Sequence, residues 1–443
     1  MSNTKLVIIG GSAAGVVAAI SAQRHHKLEK VTVIRADEKV LVPCGIPYIY
    51  GTLGSAEKNI MPDALLGDAE LVMDEVTSID RNSKTVTTAG GKNIPYDKLI
   101  LATGSLPIIP PIPGKDLANV FPIKKDIKYL QGLEKSLENA KSVVVIGGGF
   151  IGVEFADECQ KRGLNVTIVE MLPNCLIMAC DDEFCIMAED ALKEKGIKVL
   201  TNTTAKSITG NGKAEYVELS NGEKLNVDVV ILGIGAIPNT ELAQKSGLEI
   251  GEQKGIKVDE YMRTSDPDIF AAGDCADKIS FFTGKPSGLR LASIAAREAR
   301  LAAINLFEPK WKSEGVVGVF ATAIGETCIG VAGLTERAAK QVGFDIVIAE
   351  ATAADKHPGA MPGAKPLRIK LIFDSKSKQL LGGEACGGVT AGEIANILAT
   401  AIANKMTVDQ IANMQFGTHP ALTASPVVYQ IINAGEQAYI KMA

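Results

Sequence analysis

Ser142-Val-Val-Val-Ile-Gly147-Gly148-Gly149-Phe150-Ile151-Gly152 is the stretch that decides the fold. A short β-branched run leads into Gly147-x-Gly149-x-x-Gly152, and a helix-like stretch, Val153 to Arg162, follows. The first glycine makes a tight turn, the second lets backbone approach a pyrophosphate, and the third permits close packing of helix on strand. The helix N-terminus adds amide donors and the positive end of a dipole. Val166-Thr-Ile-Val169 reads as the next strand, closed by Glu170, whose carboxylate can accept from both hydroxyls of a ribose. A 2′-phosphate would meet that charge, and Met171-Leu-Pro173 offers no arginine, so NADH is expected over NADPH. A glycine turn made only for packing is the alternative reading.

The same design stands at the start of the chain. Lys5-Leu-Val-Ile-Ile-Gly10-Gly-Ser12-Ala-Ala-Gly15 precedes a helix-like stretch, Val16 to Arg24, and a strand, Val31 to Ile34. This fingerprint has Ser12 in the middle place, where a small residue still allows close approach. Its second strand ends in Arg35, with Asp37 and Glu38 only later. Strand, glycine turn, helix and strand make a βαβ unit, and two such units imply two doubly wound sheets.

Three further segments belong to the pattern. Leu99-Ile-Leu-Ala-Thr103-Gly104-Ser105 is an apolar strand ending in Thr-Gly, and Val229 to Asn239, with Gly235, repeats that design. Asp268-Ile-Phe-Ala-Ala-Gly273-Asp274-Cys275 places a carboxylate just past a strand, where it can bond polyol hydroxyls. Beyond Lys312 the fingerprints stop. Short strands (Val316 to Ala323, Asp345 to Ala349, Leu367 to Phe373) mix there with helical segments (Glu336 to Val342, Ala391 to Asn404), which reads as an α+β domain. Pro107 to Gly114 reads as the connection leaving the first module, and Asp126 to Asn139 as a helix leading into the second.

With these segments in order, the chain resembles the FAD-dependent pyridine nucleotide-disulfide oxidoreductases over nearly its whole length. The resemblance implies an α/β fold with two Rossmann-like nucleotide-binding domains plus a C-terminal α+β dimerisation domain. The expected division is 1–112 with 240–311 for FAD, 113–239 for NADH, and 312–443 for a homodimer contact. Carried over by position, FAD meets Gly10, Ser12, Gly15, Arg35, Thr103, Gly104 and Asp274. NADH meets Gly147, Gly149, Gly152, Glu170 and Gly235. Glu154 is similar to a family glutamate that lies near flavin and nicotinamide.

The redox centre points to a branch of that family. Disulfide reductases carry Cys-x4-Cys after the second strand, whereas Val42-Pro43-Cys44-Gly45-Ile46-Pro47-Tyr48-Ile49 has Ile49 where the second cysteine would stand. A single thiol can cycle as thiolate, sulfenic acid or mixed disulfide. The pattern is similar to the single-cysteine branch, which includes coenzyme A disulfide reductases, NADH oxidases, NADH peroxidases and polysulfide or persulfide reductases. Oxidase and peroxidase members carry a His in the first turn where this chain has Ala13, which favours sulfur substrates. The tyrosines that coenzyme A disulfide reductases carry near the partner's cysteine are not matched in Lys356 to Gly363 or in Phe416 to Thr423. His419-Pro-Ala-Leu-Thr423 is similar to the segment that supplies the acid-base His across the dimer in dihydrolipoamide dehydrogenases. His419 is therefore expected to serve Cys44 as a base, with Glu154 as the third catalytic residue.

Three functions stay open on this reading: NADH-dependent reduction of a small disulfide, persulfide or polysulfide, reduction of dioxygen, and a non-catalytic flavin-linked redox sensor. Composition removes other classes. The chain has 443 residues, 46 Lys and Arg against 51 Asp and Glu, and a net charge of −5, so no nucleic-acid or membrane partner is expected. At about 150 residues per domain this length suggests about three domains. Eight cysteines are too sparse for a disulfide scaffold, and the N-terminus shows no secretory leader, so a cytoplasmic, reducing location is expected. On a helix Cys175, Cys180 and Cys185 would not share a face, their spacing is wider than zinc pairs prefer, and no metal site is expected. Cys159, Cys275, Cys328 and Cys386 are expected in the core, and His25 and His26 in solvent at a helix end.

Overall fold

The computed structural model describes residues 4–443. The chain forms two compact units, one of Met1–Pro110, Phe121–Asn139 and Gly235–Val316, the other of Pro111–Val120, Ala140–Ile234 and Val317–Ala443.

The first unit is built on a five-stranded parallel sheet. Its order is Ile269–Ala271, Lys98–Leu101, Lys5–Ile9, Lys30–Arg35 and Glu70–Met73. The central strands are continuous apolar runs because both faces are covered. Leu6 and Ile8 point into one core with helices Ala13–His25 and Ala292–Ile304, while Val7 and Ile9 point into another with Leu99, Ile79 and Val86. Ala18, Ala19 and Ala22 share the first core with Ala295, Ala299 and Ala302, and such short side chains let two helices approach closely. Helix Ile127–Glu138 buries Leu130, Leu133 and Leu137 at helical spacing, and the Asp126 carboxylate caps it by accepting the Tyr129 amide at 2.6 Å. Lys98–Leu101 and Val229–Leu232 hold equivalent places beside the central strands of the two parallel sheets, and just past them Ser105–Pro107 and Ala236–Pro238 pair with each other as an antiparallel ribbon of this unit.

The second unit carries a parallel sheet with the order Lys198–Leu200, Asn165–Val169, Ser142–Ile146 and Val229–Leu232. It also carries an antiparallel sheet with the order Val319–Ile324, Thr327–Gly333, Leu380–Gly387, Pro366–Asp374 and Ile346–Ala354. Helices Ala391–Ala403 and Gln430–Lys441 pack on the latter, giving the expected α+β layer. Lys370, 2% exposed, fastens the two sheets' elements together. Its ammonium meets Asp181 at 3.0 Å, Glu183 at 2.6 Å and Glu336 at 3.1 Å, as a buried charge requires. Glu384 beside them accepts the Asp181 amide at 2.9 Å, and burial next to Asp181 lifts its carboxyl well above the usual range.

Several local expectations change. The glycine-turn helices start one turn earlier than read, at Ala13 and Phe150, because the turn itself opens the first helical turn. Only Cys185 of the even-spaced cysteines lies on a helix, Asp182–Glu194; Cys175 and Cys180 lie in the turns before it. All three are buried; burial raises the thiol of Cys175, and a hydrogen bond with Cys185, then burial, raises that of Cys180. Among the described residues no His, Cys, Asp and Glu group could hold a metal ion. His26 is not solvated as expected: its Nε2 bonds the Ala303 carbonyl oxygen at 2.8 Å, and its ring packs edge-on against Phe307. Burial lowers its pKa.

Candidate active site

Both glycine turns show why their residues are glycine. Gly10 has φ +112°, and a Cβ there would lie 2.2 Å from the Ala102 oxygen. A Cβ on Gly15 would lie 1.9 Å from the Gly10 oxygen, so the helix sits directly on the turn. Ser12 is the N-cap, yet its hydroxyl makes no capping bond, so the first amides of Ala13–His25 face outward as anion donors. The second turn repeats this: Gly147 has φ +110°, and a Cβ on Gly152 would lie 1.9 Å from the Gly147 oxygen. A Cβ on Gly149 would meet nothing within 4 Å, which is the open approach a phosphate needs. Glu170 is 8% exposed and stands against this turn, Oε2 accepting the Gly148 amide at 2.5 Å and Oε1 the Leu172 amide at 2.7 Å. Each oxygen keeps a lone pair for a ribose hydroxyl.

Around the first turn the expected partners converge. Ala102 donates to Ile9, the Thr103 hydroxyl donates to Asn239 O at 2.7 Å, and Asn239 donates back to Gly104 O at 2.9 Å. Asp274 Oδ2 accepts from the Ser105 hydroxyl at 2.7 Å and Lys125 Nζ at 3.4 Å. The peptide before it is held by a pair that sequence reasoning missed. Glu298 accepts the Gly273 amide at 2.9 Å, and Lys278 donates to Gly273 O at 2.7 Å and Ala276 O at 3.0 Å. These two side chains form a buried ion pair at 3.2 Å, each only 2% exposed. No local pattern marks such a pair, because a lone Lys and a lone Glu in separate elements look like surface residues.

Arg35 and Gly235 stand differently from expectation. The Arg35 guanidinium is buried and forks onto Asp63 at 2.6 and 3.0 Å while donating to Asp37 O and Glu38 O, so most of its donors are spent on protein oxygens. Gly235, expected among NADH contacts, belongs to the first unit, where its oxygen accepts the Ile108 amide.

Cys44 is the single exposed cysteine of the eight. It sits in the 3₁₀ turn Pro43–Gly45, followed by a second, Pro47–Tyr50, each started by a proline whose fixed φ suits the first position. Asn59 clamps this loop: Val42 N donates to Asn59 O at 2.9 Å, and Asn59 Nδ2 donates to Val42 O at 3.0 Å. Buried Tyr50 anchors its far end by donating to Leu130 O at 3.2 Å. Ile49 is fully buried, so no second thiol stands in the loop. The other cysteines are core, and burial pushes the thiols of Cys159 and Cys386 up to about 12.

In the second unit, Glu154 accepts from the Thr322 hydroxyl at 3.0 Å. Burial raises its carboxyl to about 7, against the pull of that bond and with help from Glu158, so it exchanges a proton near neutrality. His419 is exposed, and its Nδ1 accepts the Ala421 amide at 3.2 Å. An amide N–H can only donate, so the ring hydrogen stands on Nε2. In this form His419 offers a hydrogen where the sequence reading had a base.

Residues 4–299 match the pyridine nucleotide-disulphide oxidoreductase family, and residues 319–428 match its dimerisation domain. The chain belongs to this family and is an FAD-dependent NAD(P)H oxidoreductase. An NADH oxidase of Methanocaldococcus jannaschii is 34% identical over 432 residues, covering 95% of each chain. An NAD(P)H coenzyme A polysulfide/persulfide reductase of Pyrococcus horikoshii is 32% identical over 91% of this chain and 92% of its own. Among solved structures, the NAD-dependent persulfide reductase from A. fulgidus superposes with a TM-score of 0.91 at 31% identity, over 99% of this chain and 83% of that one. The first turn, with its outward amides, the Thr103–Gly104 step and Asp274, fits FAD, and the second, with Glu170, fits NADH. Among the described residues no helix is long and apolar enough to cross a membrane.

Proposed function

We propose that this flavoenzyme uses NADH to reduce a low-molecular-weight disulfide, persulfide or polysulfide through Cys44. The observation that carries the reading is the exposure of Cys44 alone among eight cysteines, on a clamped loop with Ile49 in place of a partner thiol. The sulfur reductases among its relatives support it. When bound, FAD relays two electrons from NADH to sulfur. The Cys44 thiolate attacks one sulfur of RS–SR′, forming Cys44–S–S–R and expelling R′S⁻, which takes a proton. Two electrons and a proton then split the mixed disulfide into Cys44 thiolate and RSH. The sum is NADH + H⁺ + RSSR′ giving NAD⁺ + RSH + R′SH.

The bound cofactors are held by Gly10, Ser12, Gly15, Thr103, Gly104 and Asp274 on one side, and by Gly147, Gly149, Gly152 and Glu170 on the other. Arg35 acts by holding the Asp37–Glu38 segment. Two subunits form the working enzyme, and the His419 segment of one attends Cys44 of the other. Exposed Val389, Leu422 and Val427 on the dimerisation domain support such a contact. Eight cysteines without a disulfide among them suit a cytoplasmic location.

Reduction of dioxygen is the second reading, favoured by the NADH oxidases among the relatives. Ala13 weighs against it, since a methyl group at the head of the first helix cannot pass a proton to an oxygen species. Anaerobic NADH oxidation, assayed with coenzyme A disulfide, polysulfide and dioxygen in turn, separates the two. Turnover with a sulfur substrate at rates above those with dioxygen supports the first, and turnover with dioxygen alone overturns it.

A further inference from the structure

Two histidines on adjoining loops of the second unit are fixed in opposite tautomers. His357 lies in the loop between strands Ile346–Ala354 and Pro366–Asp374. Buried Asp355 closes the base of that loop: its amide donates to Lys365 O at 2.9 Å, and its Oδ1 accepts the Lys365 amide at 2.7 Å. The loop is joined to the His419 turn at two points. The His357 amide donates to Pro420 O at 3.0 Å, and its Nδ1 lies 3.0 Å from Thr423 O. A carbonyl oxygen only accepts, so His357 Nδ1 carries the hydrogen and Nε2 keeps its lone pair. His419 is the reverse, with Nδ1 accepting the Ala421 amide and the hydrogen on Nε2. Among the described residues no carboxylate pairs with either ring and nothing bonds His357 Nε2. One ring presents an acceptor and the other a donor, which are the two hydrogen-bonding roles thiol–disulfide exchange needs.

We propose that His357 is the acid-base residue of the thiol half-reaction, with His419 as hydrogen-bond donor to the departing sulfur; this rests on the reading that the His419 segment serves Cys44 of the other subunit. The Cys44 thiolate left by each reduction takes up a proton; at the next turnover the S–H bond breaks and that proton passes to His357 Nε2. The resulting thiolate attacks RS–SR′, the new bond is Cys44–S–S–R, and the S–S bond of the substrate breaks. R′S⁻ is held by His419 Nε2–H and takes the proton back from His357 as R′SH. Neutral His419 gives no proton away, so the count closes on His357 alone.

The chain has four histidines, so ¹⁵N-histidine labelling gives a small set of ring signals that His357→Asn and His419→Ala assign. Signals of a protonated Nδ1 at His357 and a protonated Nε2 at His419 are expected, and the reverse pattern would overturn the proposal. The second arm is anaerobic stopped-flow oxidation of the NADH-reduced holoenzyme by polysulfide. His357→Asn keeps a donor in the place of Nδ1–H but has no Nε2. It should slow this step by roughly 10²-fold or more while flavin reduction by NADH stays at the wild-type rate. Wild-type oxidation in His357→Asn with slow oxidation in His419→Ala would make His357 a strut only and end the proposal while leaving the shared site standing. Wild-type oxidation in both would end the shared site, and the proposal with it.

Discussion

Gly45 and Asn59 compete for one position: a Cβ on Gly45 would lie 2.0 Å from the Asn59 Oδ1. The glycine beside the exposed Cys44 is thus what lets a buried asparagine clamp the loop at Val42. Gly45→Ala should push Asn59 out of its site and cost about 1–3 kcal/mol of stability, as overpacking does. Cys44 should remain exposed but lose its fixed setting. Differential scanning calorimetry and the rate of sulfur-substrate turnover check this, with a lower Tm and slower turnover expected.

Glu298 and Lys278 make a second prediction. Glu298→Ala leaves Lys278 buried without its counter-charge, and such losses run at about 3–5 kcal/mol. The Gly273 amide also loses its acceptor, so Asp274 is presented less firmly. Weaker FAD retention on dilution, measured by flavin fluorescence, is the expected outcome.

Those two devices also show where the sequence stops being legible. The glycine turns, the flanking strands and the helix from Asp126 are visible because strand period, helix period and turn chemistry act over a few residues. Asn59 against Gly45, Glu298 against Lys278, and the ribbon of Ser105–Pro107 with Ala236–Pro238 each join separate segments, and chain closure leaves no periodic trace. Cys175 and Cys180 precede the helix whose N-cap is Asp181, so spacing on a helical wheel says nothing of where their thiols point. His419 was visible as a position, but its tautomer depends on where the Ala421 amide points.

Glu170 holds two backbone amides, and on the proposed reading its carboxylate also meets the ribose of NADH. Glu170→Arg should therefore raise KM for NADH and lower it for NADPH, reversing the preference. Equal use of both nucleotides by the wild type would contradict the ribose assignment.

Glu154 gives a pH signature. Its folded carboxyl is raised to about 7 from 4.5, so the folded chain binds the proton more tightly than the unfolded one. Its contribution is complete below about 4.5 and is lost as pH rises toward 7, an effect on the order of 3 kcal/mol. Glu154→Gln should flatten that part of the stability profile, seen as a smaller fall in Tm between pH 5 and pH 8 than in the wild type.

Subunit mixing tests the shared site. Inactive Cys44→Ser and His419→Ala chains, dissociated and reassociated together, should recover part of the sulfur-substrate activity, because each heterodimer holds one complete site. Recovery absent from verified heterodimers would place both residues' work within one chain.

The central claim is that Cys44 carries the electrons to a sulfur substrate, and the Cys44→Ser holoenzyme tests it most directly. Under anaerobic conditions NADH should bleach its flavin at the wild-type rate, since hydride transfer does not use the thiol. Subsequent oxidation by polysulfide or coenzyme A disulfide should fall by orders of magnitude, because the covalent step is gone. Sulfur-substrate oxidation at the wild-type rate in that variant would contradict the account.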